Sequence, residues 1–160
     1  MAAGAGRARL ATAADAAAAG RLLHRFNTEY GEPTPPPERL AERIEELVAG
    51  GGTEVLLAGD GPDGILVVRF QPGIWSDGAE AYIAELYVVS ERRRRGLGSA
   101  LMEAALARCR ERGADYVFLG TDEGDTDAHR LYEQHGFSNL TDPAAAPSER
   151  ERMFVYERSL

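Results

Sequence analysis

The stretch Ser90 to Arg112, SERRRRGLGSALMEAALARCRER, decides how the rest of the chain is read. An apolar run from Ala81 to Val89 leads into it, and Arg92, Arg93, Arg94 and Arg95 follow. Then come Gly96-Leu97-Gly98-Ser99 and a helical pattern. Leu97, Leu101, Ala105 and Cys109 recur every fourth residue, with Met102 and Leu106 on the adjoining row. Gly113 stands where a left-handed glycine ends a helix. The pattern predicts strand, basic glycine turn, helix. The start of a helix offers unpaired N–H groups and the positive end of a dipole. Glycines let an anion approach that backbone closely, and arginines add charge around it. The stretch therefore reads as a cradle for a diphosphate.

Two common cradles do not fit. A GxxxxGK[ST] loop needs a lysine, and the chain contains none. A GxGxxG fingerprint needs a third glycine, and Leu101 stands in its place. What remains is Arg93-x-x-Gly96-x-Gly98. This resembles the R/Q-x-x-G-x-G/A signature of the GCN5-related N-acetyltransferases, the GNAT family. The resemblance covers about residues 80 to 138. It includes Leu86-Tyr87-Val88 before the loop and a strand at Tyr116 to Leu119 after the helix. It ends at Ala128-x-x-Leu131-Tyr132-Glu133-x-x-Gly136-Phe137, which is similar to the family's A-x-x-L-Y-E-x-x-G-F.

Composition sets the bounds. The chain of 160 residues fits one domain with a substantial core, placed at 7–160 after a disordered start at 1–6. A net charge of −8 argues against a nucleic-acid binder despite the local arginines, and favours a cationic ligand. One cysteine allows no internal disulfide and no cysteine-based metal cluster, which suits a reducing, cytoplasmic setting. Cys109 lies on the apolar stripe of its helix, as a small core residue. His24, His129 and His135 have no metal-ligand spacing, so no metal is expected and they read as surface or supporting residues. The alanine-rich start lacks the apolar run of a signal peptide, and no window is long enough for a membrane span.

Along the chain, the pattern predicts a strand at Arg7–Thr12 and a helix from Asp15 to about Phe26. Asn27 to Gly31 and Pro33 to Pro37 read as loop. A second helix runs from Pro36 or Pro37 to Val48, with proline suiting its first turn. Thr53–Ala58 and Ile65–Phe70 form a hairpin across a glycine-rich turn. Strands follow at Ala79–Val89 and Asp115–Leu119, a short helix at Thr126–His135, and a closing strand at Arg152–Glu157. Asp142 to Ser148 reads as a flexible loop. The order gives an α/β (α+β) domain with helices packed on a central sheet. The closing strand, at Met153–Tyr156, is also a candidate for pairing across a two-fold in a homodimer.

The family resemblance implies more. The fold would be a mixed, mostly antiparallel sheet with helices on both faces. The strands at 80–89 and 115–121 would splay apart, with the pantetheine arm of acetyl-CoA lying between them. Cofactor contacts fall on Arg93, Arg94, Arg95, Gly96, Leu97, Gly98 and Ser99 for the phosphates, and on backbone groups of Leu86, Tyr87 and Val88 for pantetheine. Tyr132 matches the tyrosine placed near the thioester sulfur, as a proton donor or as a packing aromatic. Glu85 is an acid in an apolar strand, sharing a face with Ile83 and Tyr87 by period-two alternation. It reads as a general base or a paired structural acid, with Glu80 a weaker candidate. Asp125 stands where relatives often have a coenzyme-touching asparagine. It keeps a helix-capping role but no amide donor. The acidic run Asp122 to Asp127, with Glu29 and Glu32, reads either as a solvated face or as an attractor for a polyamine or amino-sugar. Its Gly124-Asp125-x-x-Ala128 spacing resembles aminoglycoside 3-N-acetyltransferases. Trp75 and Tyr30 read either as the wall of an acceptor pocket or as simple loop packing.

The leading expectation is acetyl transfer from acetyl-CoA to a small-molecule amine by direct attack. The rivals are a protein N-terminal or lysine acetyltransferase, and a catalytically silent acyl-CoA-binding module.

Overall fold

The computed structural model describes residues 7–121, 125–140 and 152–160. The expected disordered start at 1–6, the first half of the acidic run (122–124) and the expected loop at 142–148 lie outside the described residues. The strands are β1 (Ala8–Leu10), β2 (Thr53–Ala58), β3 (Gly64–Pro72), β4 (Ala79–Val88), β5 (Ala114–Gly120), β6 (Ser138–Leu140) and β7 (Arg152–Ser159). The helices are α1 (Ala16–Glu29), α2 (Pro37–Ala49), α3 (Leu97–Glu111) and α4 (Thr126–Gln134).

The strands form a sheet ordered β1-β2-β3-β4-β5-β7-β6. Its pairings are antiparallel except β4 with β5, which run parallel. This is the mixed, mostly antiparallel sheet expected. Alternation along β2 and β3 sends residues to two separate cores. Leu56, Leu66 and Val68 pack with Leu101, Met102, Ala105 and Cys109 of α3 and with Tyr132 of α4. Val55, Leu57, Ile65 and Val67 pack with Ala19 and Leu22 of α1 and Ile44 of α2. Helices therefore cover both faces.

Two local readings change. The first helix does not stop at Phe26 but runs to Glu29. Asn27 and Thr28 are weak helix formers, yet Phe26 and Tyr30 meet edge to face at 5.4 Å and carry the apolar stripe one turn further. The second change is in β4. Its register against β3 slips between Val67 and Val68, so that Val67 opposes Glu85 and Val68 opposes Ile83. Ala84 is the extra residue of a bulge, and a bulge reverses which residues share a face. Ile83 belongs to the α3 core and Tyr87 to the α1 core. Glu85 therefore sides with Tyr87 but not with Ile83. The closing strand β7 lies between β5 and β6. Its pairing with β5 runs over Val155–Ser159, and its pairing with β6 joins Ser138 to Glu157 and Leu140 to Arg152.

Proline opens α2 as expected. Where α1 and α2 cross, Gly20 has no side chain to spare. A Cβ there would run into the Pro37 carbonyl and lie 2.9 Å from the Ala41 nitrogen, both rigid backbone atoms. Gly20→Ala is expected to lower stability by about 1–3 kcal/mol, read from the urea midpoint. An unchanged midpoint would mean that the two helices are free to move apart.

Candidate active site

The site is built on a fork. β4 and β5 pair from Ala79–Ala114 up to Tyr82–Phe118, and no pairing follows. Beyond that point β4 continues along β3 as far as Val88, while β5 continues along β7 through Leu119 and Gly120. Tyr82 and Phe118 stack at 5.1 Å where the strands part. Backbone N–H and C=O groups on the inner edges above them have no strand to bond. A cavity of about 1320 Å³ opens there. On the α3 side of the sheet it is lined by Leu97, Gly98, Ser99, Leu131 and Tyr132, and on the α1 side by Phe26, Asn27, Tyr30, Glu32 and Glu85. It thus reaches both faces of the sheet through the gap.

The arginine-glycine turn closes one end. Gly96, at φ 81°, is the residue before the first turn of α3. Arg94 sits at φ 61°, the sole non-glycine at positive φ among the described residues. An L-residue there costs about 1–2 kcal/mol, and such strain collects at functional turns. The first N–H groups of α3 have no intrahelical acceptor and belong to residues that line the cavity: Leu97, Gly98 and Ser99. A Cβ on Gly98 would press on Leu131 at 3.3 Å, so this glycine also lets α3 and α4 approach.

The arginines divide. Arg93 turns inward: its Nε donates to the Val88 carbonyl at 2.9 Å, it pairs with Glu29, and it lies over the Tyr87 ring at 5.6 Å. Arg94 reaches Asp127 of α4 at 3.8 Å across the cradle, and Arg92 lies 4.0 Å from Asp63. Arg92, Arg93 and Arg94 line the cavity; Arg95 is exposed and does not.

Tyr132 is buried against Phe137 and Tyr156. Its hydroxyl has no hydrogen-bond partner among the described residues, yet no buried side-chain polar atom is stranded. The hydroxyl therefore faces the cavity. Burial, with Asp125 nearby, raises its pKa to about 12, so it holds its proton at neutral pH. Glu85 is half-buried, and desolvation raises its pKa, with Arg69 pulling the other way. Leu86, Tyr87 and Val88 all line the gap. Asp125 caps α4 as expected, accepting from the Ala128 N–H at 3.1 Å.

This fork with a glycine-started helix at its mouth coincides with a sequence match: residues 16–137 fit the profile of the Acetyltransferase (GNAT) family. The chain belongs to the GNAT family. A solved GNAT-fold relative, a protein from Arthrobacter sp. FB24 assigned as an acetyltransferase, is 44% identical. It superposes with a TM-score of 0.83, over 100% of this chain and 99% of that one. A mycothiol acetyltransferase from Thermobispora bispora is 49% identical over 69 residues, 41% of this chain. That match spans only 23% of the curated relative's length. An aminoglycoside acetyltransferase from an uncultured soil metagenome, solved with trehalose, shares the fold (TM-score 0.68, 23% identity, 88% of this chain and 89% of that one).

Against this GNAT frame, some readings shift. Trp75 is 93% exposed in the β3–β4 turn, at the far end of β4 from the cavity, and does not line it. Tyr30 does line it. Phe26 and Asn27 were missed, because the chain around them reads as the end of a helix and a loop. The four-residue spacing of Phe26 and Tyr30 was the available signal. His135 is half-buried beside Ser99, the supporting one of the two places expected for it. Cys109 is fully buried, and desolvation raises its pKa to about 11, far from a ready nucleophile.

The raised Glu85 pKa has a stability consequence. A folded-state pKa above the unfolded one means that the folded chain binds the proton more tightly. That contribution is complete below the model-peptide value of 4.5 and is lost as pH rises through the folded pKa. Glu85→Gln is therefore expected to be more stable than wild type above neutrality, with the difference vanishing below pH 4.5. Thermal unfolding across pH checks this; a difference that grows on acidification would contradict the burial argument.

Proposed function

We propose that this chain is an acetyl-CoA-dependent N-acetyltransferase whose acceptor is a small-molecule amine. The observation that carries the reading is the two-sided cavity. Its α3 side offers unpaired helix N–H groups and arginines, the donor set a diphosphate requires. Its α1 side offers Glu85, Glu32, Asn27 and Tyr30, a set suited to an ammonium group.

These residues fit coenzyme A. The free backbone edges above Tyr82 and Phe118 suit a chain bearing amides, and Leu86, Tyr87 and Val88 supply one such edge. When bound, the coenzyme supplies an acetyl group on a thioester, an acyl donor with a competent leaving thiol. Leu97, Gly98 and Ser99, with Arg94 and a repositioned Arg93, hold the phosphates. Asp125 shapes the mouth by fixing the start of α4. Glu85, held partly out of water, accepts the proton that an ammonium must lose before its nitrogen attacks. Tyr132 keeps its Oη proton at neutral pH and gives it to the departing sulfur. Buried Cys109 is not placed for a covalent acyl intermediate, so the amine attacks directly. An amino-sugar or polyamine suits the acidic mouth, and the net charge of −8 draws such cations in.

Release of free thiol from acetyl-CoA over a panel of amines tests the reading. Glu85→Gln is expected to lower kcat by about 10²-fold. Tyr132→Phe is expected to lower it by about tenfold, because a thiol leaves readily without much help. Coenzyme affinity should survive both changes. Tight coenzyme binding with no thiol release for any amine would point instead to a silent binding module.

A further inference from the structure

One hydrogen bond ties the first turn of α3 to the far end of α4. Ser99 Oγ lies 2.9 Å from His135 Nε2. Ser99 lines the cavity and His135 stands behind it. The backbone carrying the ring is anchored to β7, since the His135 carbonyl accepts from Arg158 Nη1 at 2.6 Å.

The location of the hydrogens in this pair decides what Ser99 shows the cavity. A serine hydroxyl has one proton. If it is donated to Nε2, the oxygen presents only lone pairs to an incoming anion. If Nε2 carries the hydrogen, the imidazole donates to Oγ and the hydroxyl proton is free to point outward. No protein group hydrogen-bonds Nδ1 among the described residues, so the protein does not fix the tautomer from the other side.

We propose that His135 is a positioning residue of the phosphate cradle: by donating Nε2–H to Ser99 Oγ, it turns the serine proton toward a bound diphosphate. The inference rests on reading the start of α3 as the coenzyme's diphosphate site.

A proton linkage follows. Burial is the largest influence on the ring and lowers its pKa from 6.5. Of the charged groups acting on it, Glu103 of α3 favours the imidazolium and Arg158 of β7 opposes it. The ring is thus neutral at pH 7 in the free protein. A diphosphate one hydroxyl away adds negative charge and favours a second ring proton. Coenzyme binding then draws in a proton in the window that opens at the free ring's pKa, below 6.5, and closes at the raised bound value. Affinity rises as pH falls through that window.

Titration calorimetry with coenzyme A, in phosphate-free buffers of different ionisation enthalpy near pH 6, tests this. Wild type is expected to take up protons on binding. His135→Gln keeps an N–H donor that does not titrate, so it should bind within about threefold of wild type and take up none. Ser99→Ala and His135→Leu should each weaken binding by roughly tenfold, and the double variant should lose no more than either alone. Folding of each variant is checked by circular dichroism, and the glutamine and alanine variants carry the test if the leucine variant is unfolded. Wild-type binding without proton uptake, with losses that add in the double variant, would overturn the role of His135 and leave the cradle standing. No coenzyme binding by wild type would overturn both.

Discussion

The parting of β4 from β5 after Tyr82 and Phe118 is the constraint on which the remaining structure depends. Parallel neighbours in a sheet ordinarily stay bonded, because each unmade backbone pair in a dry place costs free energy. Here each strand is drawn off by its other neighbour. β3 holds β4 through Val88, and β7 holds β5 through Gly120. The bulge at Ala84 adds local twist where β4 leaves. Tyr156, fully buried on β7, packs against Tyr132 at 5.5 Å between ring centres. The fork is therefore held open by what lies outside it, and its inner edges stay available.

Charge then connects the two mouths of the gap. Glu29 near the end of α1 pairs with Arg93, and Arg25 one turn earlier pairs with Glu91. Tyr87 sits between them, stacked on Phe26 at 5.0 Å, with its hydroxyl 3.5 Å from Glu29 Oε1. Exposed ion pairs of this kind contribute little stability singly. Their effect is geometric: the end of α1 that lines the cavity is fastened to the arginine-glycine turn. The inward turn of Arg93 also occupies the Val88 carbonyl at the cavity edge, so a coenzyme bound in the proposed way would compete for a contact that the protein already makes.

What the sequence made legible was local. Gly96, the four-residue apolar rhythm to Cys109 and Gly113 mark α3 without help from the rest of the chain, and its observed bounds agree. Asp125 reads as a cap and is one. The misreadings are non-local in origin. A bulge is a property of a strand pair, so alternation along β4 alone put Glu85 beside Ile83. The end of α1 was decided by Phe26 and Tyr30 packing near Tyr87, against the weak propensity of Asn27 and Thr28. The inward pose of Arg93 required Glu29, which is 64 positions away in sequence.

The most direct test of the central claim is amide hydrogen exchange followed residue by residue with and without coenzyme A. The account predicts slowed exchange on binding at two separated stretches, Leu97–Ser99 at the start of α3 and Leu86–Val88 along the inner edge of β4, with little change at Trp75. Coenzyme binding that leaves both stretches exchanging as before would contradict it.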